Sequence, residues 1–232
     1  MPIKSSPITL KTQVIENGVA VSTKSTIKWR LKLAWQGTYK TYQSVLDLVG
    51  NSITTQISTG GILYIKATAL ISGETYSNSI KVFITGNNPT NKLLGQSFPN
   101  NLLKAIAWQE SAWRQFNSEG KPLKNPHSSM VGLMQISERW WGTDKSSIKS
   151  NDFNRIAWDW SYNIQAAREI LDYYFKRVVN KYPDEPEESQ WNRALKAYHA
   201  GESTIKTKES ANDFWYVKQI RKHIKGKPWE KQ

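Results

Sequence analysis

Around Gly86-Asn-Asn-Pro-Thr-Asn91 the hydrophobic repeat of the chain changes from two residues to 3.6, and no other feature constrains the fold as strongly. A period of two buries one face of a sheet, whereas a period of 3.6 buries one stripe of a helix. The polar run with Gly and Pro at the change is linker material. The chain therefore divides into an all-β domain over residues 1–88 and a mainly α domain over residues 89–232, and 232 residues suffice for two modest domains.

Before the boundary, runs of alternating or β-branched character predict strands at Ile8–Ile15, Ser25–Leu33, Ser52–Ser58, Leu63–Ile71 and Tyr76–Thr85. Turn signals separate them at Glu16-Asn17-Gly18, Gln36-Gly37, Gly60-Gly61 and Ser72-Gly73. Leu63, Ile65, Ala67 and Ala69 share one face, as do Ile80, Val82 and Ile84, which predicts a hairpin in a small antiparallel sandwich. The pattern resembles bacterial immunoglobulin-like domains, without the cysteines of antibody domains. This half has no Ser/His/Asp set, metal-ligand spacing or glycine phosphate loop, so it reads as a docking or targeting domain.

Composition narrows the remaining choices. Cysteine is absent, which excludes disulfides, Cys-ligated zinc and thiol catalysis together. Nine of the eleven tryptophans lie after residue 100, so the second half needs an aromatic core or an aromatic-lined groove. The formal charge of +13 is shared, +6 before residue 89 and +7 after it, and suits a polyanionic surrounding such as the bacterial envelope. The basic residues form no dense block, so no nucleic-acid partner is expected. No apolar run reaches the length of a signal-peptide core or a membrane span.

In the second half a helix is predicted from Pro99 or a neighbouring Asn to about Phe116, a short helix over Gly132–Ile136, and longer ones over Asn163–Val179, around Trp191, Leu195 and Tyr198 with Gly201 as C-cap, and over Asp213–Ile224. In the first of these, Leu103, Ile106, Ala107 and Glu110 fall on one face. A carboxyl held among apolar side chains keeps its proton to higher pH and can donate it near neutrality. A wet glutamate near a helix end is the competing reading of this position.

Trp108-Gln-Glu110-Ser111, Gly132-Leu-Met-Gln135-Ile136, Asn163-Ile and Ala197-Tyr198-His-Ala-Gly201 occur in the order and approximate spacing of the soluble lytic transglycosylases, relatives of goose-type lysozymes, which residues 93–205 resemble. The resemblance implies a lysozyme-like fold and peptidoglycan glycan strands as substrate. It implies Glu110 as the acid that protonates the bond between N-acetylmuramic acid and N-acetylglucosamine and later acts as base. Ser111 would help orient substrate, Met134 and Gln135 would wall the groove, and Tyr198 would bond near the carboxylate. Asn163 would be structural. His199 stands where the family usually has Asn, as a local substitute or a proton carrier.

Glycoside cleavage usually takes two carboxylates. Glu119, Glu138, Asp144 and Asp152 are nearest in sequence to the first, and none stands in an apolar setting. Members of the resembled family need one glutamate and no cofactor or metal, because the sugar's own N-acetyl and C6 hydroxyl groups take part and a 1,6-anhydromuramoyl end results. The expected reaction is that one; plain muramidase hydrolysis and non-catalytic wall binding are the alternatives. Without a signal peptide, the expected route to the wall is a phage lysis system, a virion or a contact-dependent secretion apparatus, with residues 1–88 docking on the delivery machine.

Overall fold

The computed structural model describes residues 7–16, 19–21, 26–125, 127–142, 147–207 and 210–231. Asn17, Gly18, Ser25 and Asp144, which figured in the expectations above, lie outside them. The chain forms two compact units, Met1–Gly86 and Asn87–Gln232.

The first unit is β-rich. Its strands are β1 (Pro7–Lys11), β2 (Val14–Glu16), β3 (Val19–Val21), β4 (Lys28–Gln36), β5 (Thr41–Val49), β6 (Ser52–Gln56), β7 (Gly61–Ile71) and β8 (Glu74–Ile84). Four of them make an antiparallel sheet in the order β5-β4-β7-β8, while β1 pairs with β6 and β2 with β3. One face of the large sheet presents Trp29, Leu31, Leu63, Ile65 and Ala69, and Ile53 of β6 joins them in a single buried cluster with Leu10 of β1 against it. The predicted hairpin is β7–β8, with Ile65 opposite Ile80 and Leu63 opposite Val82. The expected run Ile8–Ile15 is two strands, because the chain leaves the β1–β6 ladder at Thr12. Strand β5 was not anticipated: Val45 and Val49 alternate with Leu46 and Leu48, so apolar side chains occupy both faces and blur the period.

The second unit is mainly helical: α1 (Asn91–Ser97), α2 (Asn101–Ser111), a small ribbon of β9 (Met130–Val131) and β10 (Ile136–Ser137), then α3 (Glu138–Trp141), α4 (Phe153–Trp158), α5 (Trp160–Lys181), α6 (Glu187–Ala200) and α7 (Trp215–Gly226). Side-chain oxygens of Thr90, Asn100, Asp152 and Asp159 cap α1, α2, α4 and α5 by accepting backbone N–H bonds. Helix α2 packs on α7, and α5 on α6, around fully buried Ile106, Leu195 and Ile220. Each such side chain contributes about 2 kcal/mol of apolar burial.

Two helix expectations are corrected. Helix α2 stops at Ser111 and not near Phe116, because Ala112 and Trp113 take left-handed φ values of 48° and 62°. That reversal carries the Trp113 ring under the helix, where its Nε1 donates to the Lys104 carbonyl at 3.0 Å and its face stacks on Trp229. The segment Gly132–Gln135 is a tight turn joining β9 to β10 and not a helix, with Gly132 and Gln135 at positive φ. Short helices α1 and α4 went unanticipated, being too brief for a periodic pattern to register.

Candidate active site

The site is built on the end of α2. Glu110 is one turn from Ile106 and Ala107 and two from Leu103, all buried, and lies one residue before the buried Ser111. The side chain retains some contact with solvent while the protein encloses most of it. Burial raises its pKa from 4.5 to about 7, against the smaller lowering effect of a hydrogen bond from Tyr216. The Tyr216 phenol donates to Glu110 Oε1 at 2.6 Å. With Oε1 accepting, Oε2 is left to carry the acid proton.

Beside it stands the Gly132–Gln135 turn, held by side chains from four directions. Ser111 Oγ donates to the Leu133 carbonyl at 2.7 Å, and Tyr198 OH donates to the Met134 carbonyl at 2.8 Å. The Leu133 N–H donates to Gln115 Oε1 at 2.8 Å, and the Met134 N–H to Asn163 Oδ1 at 2.8 Å. Gln115 Nε2 in turn donates to the carbonyls of Ile156 and Ala157, and Asn163 Nδ2 donates to that of Ile156. These backbone groups are buried, and each would cost about 1–3 kcal/mol if left without a partner. A Cβ on Gly132 would lie 2.6 Å from Gln115 Nε2 and 2.7 Å from Asn163 Nδ2, so the turn requires glycine there.

The predicted site residues thus come together with divided roles in the geometry. Ser111, besides Leu133, bonds the Ala107 carbonyl and accepts from the Arg114 N–H, which ties the end of α2 to the turn. Met134 is fully buried, and Gln135 Nε2 folds back to donate to the Gly132 carbonyl at 2.8 Å. Tyr198 feels the charge of Glu110, and burial holds its phenol protonated. The His199 ring stacks on Tyr216 with centroids 4.4 Å apart and meets Trp215 edge-on at 4.9 Å. Burial lowers the His199 pKa, so the ring is mostly neutral at pH 7.

Sequence reasoning missed Gln115 and Tyr216. Tyr216 precedes Val217 and lies four residues before Ile220, so the buried stripe of α7 contained the signal. Nothing in the local pattern marks Gln115.

Of the other carboxylates, Glu119 is exposed beside Lys121 and Asp152 caps α4. Glu138 is 3% exposed, and its charge acts on the partly buried Lys124. Trp141 packs edge-on against Tyr173 and Tyr174, whereas Trp140 and Trp215 are exposed. No group of three or more His, Asp or Glu side chains among the described residues could hold a metal ion. No described helix is long and apolar enough to cross a membrane.

A half-buried carboxyl that keeps its proton to near neutrality thus stands at a helix end, with a phenol on one oxygen and a clamped turn beside it. Residues 89–219 match the transglycosylase SLT domain, and the chain, more than half of which is matched, belongs to that family. Among curated proteins none matches the chain. Family membership makes it, in general terms, a peptidoglycan-cleaving transglycosylase that acts on the cell wall.

Proposed function

We propose that the helical unit cleaves the β-1,4 bond between N-acetylmuramic acid and N-acetylglucosamine with Glu110 as its single acid and base. The proton on Oε2 passes to the glycosidic oxygen as the bond to C1 breaks, and the N-acetylglucosamine side leaves as an alcohol. The C6 hydroxyl of the muramic acid then attacks C1 and returns its proton to the Glu110 carboxylate. No water is consumed, and the product ends in 1,6-anhydromuramic acid.

The observation that carries this reading is the state of Glu110: burial places its pKa at about 7, so near neutrality it can both give and accept a proton. Among the described residues Glu119 pairs with Lys121, Asp152 caps α4 and the charge of Glu138 acts on Lys124, which favours the route that needs one carboxylate over the hydrolytic route that needs two. Ser111, Gln115, Asn163 and Tyr198 then act as positioning residues, through the turn and the end of α2. Met134 and Gln135 shape the turn from inside, and His199 supports Tyr216 from the face of its ring. The first unit, an immunoglobulin-like sandwich in this reading, docks the enzyme on the wall or on a delivery apparatus.

Digestion of purified sacculi followed by mass spectrometry of the soluble fragments tests the reaction. Anhydro ends are the expected product. Reducing ends would replace the proposal with muramidase hydrolysis, and an absence of fragments with wall binding alone.

A further inference from the structure

The register of the four-stranded sheet sorts the charges of the first unit. Because side chains alternate across a strand, one face carries Trp29, Leu31, Leu63 and Ile65 into the core, and the opposite face carries the residues between them. Rows on that opposite face run Val49, Lys28, Thr68, Ser77, then Asp47, Arg30, Lys66, Ser79, then Val45, Lys32, Tyr64, Lys81. Five cations, Lys28, Arg30, Lys32, Lys66 and Lys81, thus lie within three neighbouring strands, all exposed. At ordinary strand spacing they occupy an area of roughly 10 by 13 Å. The one carboxylate on this face of the sheet is Asp47, 3.5 Å from Arg30.

Two details separate this face from an ordinary solvated one. Arg30 stands directly opposite Lys66, and like charges so placed repel and destabilise a sheet. Asp47 answers Arg30 from the other side of the row, and an anion over the sheet would answer Lys66 as well. Aromatic rings also lie among the cations: Lys81 Nζ is 5.1 Å from the Phe83 ring and 5.9 Å from that of Tyr64, and Phe83 is 63% exposed.

We propose that this face binds the anionic phosphodiester polymer attached to the cell wall, its phosphates on the five cations and its sugar or polyol units on Tyr64 and Phe83. Charge complementarity calls for a polyanion. The face is a sheet without an element that could enter a duplex groove, and a single strand enters the test as competitor. Its rings lie between charges and do not form an apolar tip for insertion into lipid. The choice of a wall polymer rests on the proposed wall-cleaving function, and the test separates the two.

The full-length protein and its Lys28→Gln/Arg30→Gln/Lys66→Gln variant are titrated with purified poly(glycerol phosphate), with single-stranded DNA of similar charge, and with vesicles containing anionic phospholipid. Five phosphate contacts give a slope of about −3.5 in log K against log salt, which is about a 100-fold loss between 50 and 200 mM. The variant, with two contacts left, is expected to show a slope of about −1.4 and affinity at least about tenfold lower at 50 mM salt. Its melting temperature should stay close to that of the wild type, since the Arg30–Lys66 repulsion and the exposed Arg30–Asp47 ion pair are lost together, and its turnover of short polymer-free glycan strands should be unchanged. Equal polymer affinity in the two proteins would overturn the proposal, as would tighter binding of DNA or vesicles than of the polymer. Polymer binding is read without any cleavage, so a protein that binds polymer but yields no fragments from glycan refutes only the enzymatic reading.

Discussion

Tyr216 and Glu110 are separated by 106 residues, and the phenol donates to the carboxyl at 2.6 Å. The bond links the start of α7 to the end of α2, two helices that pack on each other. It opposes the desolvation that raises the Glu110 pKa, and so holds the proton affinity of the acid near neutrality rather than above it.

Replacing Glu110 by Gln keeps the shape of the side chain and removes its proton. Cleavage of sacculi should fall by about 10³-fold or more, with glycan binding retained. Stability should move the other way. A pKa raised from 4.5 to about 7 means that the folded state holds a proton the unfolded state has released, so the acid's contribution is complete below pH 4.5 and lost as pH rises through 7. Above pH 8 the Gln variant should therefore be the more stable by up to about 3 kcal/mol, measured by urea denaturation. Wild-type cleavage by the variant, or equal stability at both ends of the pH range, would contradict the burial argument.

Tyr216→Phe removes a donor that favours the ionised carboxyl, so the Glu110 pKa should rise further. The alkaline limb of kcat/KM, near pH 7 in the wild type, should move up by about one pH unit. A merely structural role for Tyr216 would lower the rate without moving the limb.

Ser111→Ala and Tyr198→Phe each leave one carbonyl of the clamped turn without its donor, that of Leu133 or of Met134. Each should cost about 1–3 kcal/mol in denaturant unfolding. Turnover should fall less than in Glu110→Gln, because the acid is present and only displaced. If Ser111→Ala raises KM alone and leaves stability unchanged, its hydroxyl serves the substrate and not the turn.

Gly132→Ala forces a Cβ to within 3 Å of both Gln115 and Asn163, at a φ of 78° that side chains rarely adopt. Strain and the broken amide clamp together should destabilise the helical unit by about 3 kcal/mol or more. The loss of melting temperature should exceed that of either hydrogen-bond variant.

Much of this architecture was legible in the residues. The change of period at Gly86–Asn91 separates the β-rich region from the helical one, because periodicity is a local property that each strand or helix must satisfy by itself. The β7–β8 hairpin and the stripes of α5 and α6 were legible for the same reason. The Glu-Ser, Gly-Leu-Met-Gln, Asn and Ala-Tyr motifs were legible as a set, and the clamp supplies a physical reason for their company: Ser111, Asn163 and Tyr198 all bond the backbone of one turn that only Gly132 can open.

The sequence by itself determined the two-part organisation, the apolar row around Glu110 and the family. Only the tertiary structure decided that Glu110 is enclosed rather than wet, that its helix ends at Ser111, and that Tyr216 and Gln115 belong to the site. A row on a helix states which residues share a face, but the enclosure of that face depends on what packs over it. Here α7 arrives more than a hundred residues later and brings the one phenol that bonds the acid. Hydrogen bonds between distant elements leave no period in the chain: the stripe of α7 marks Tyr216 for burial but not the group it bonds.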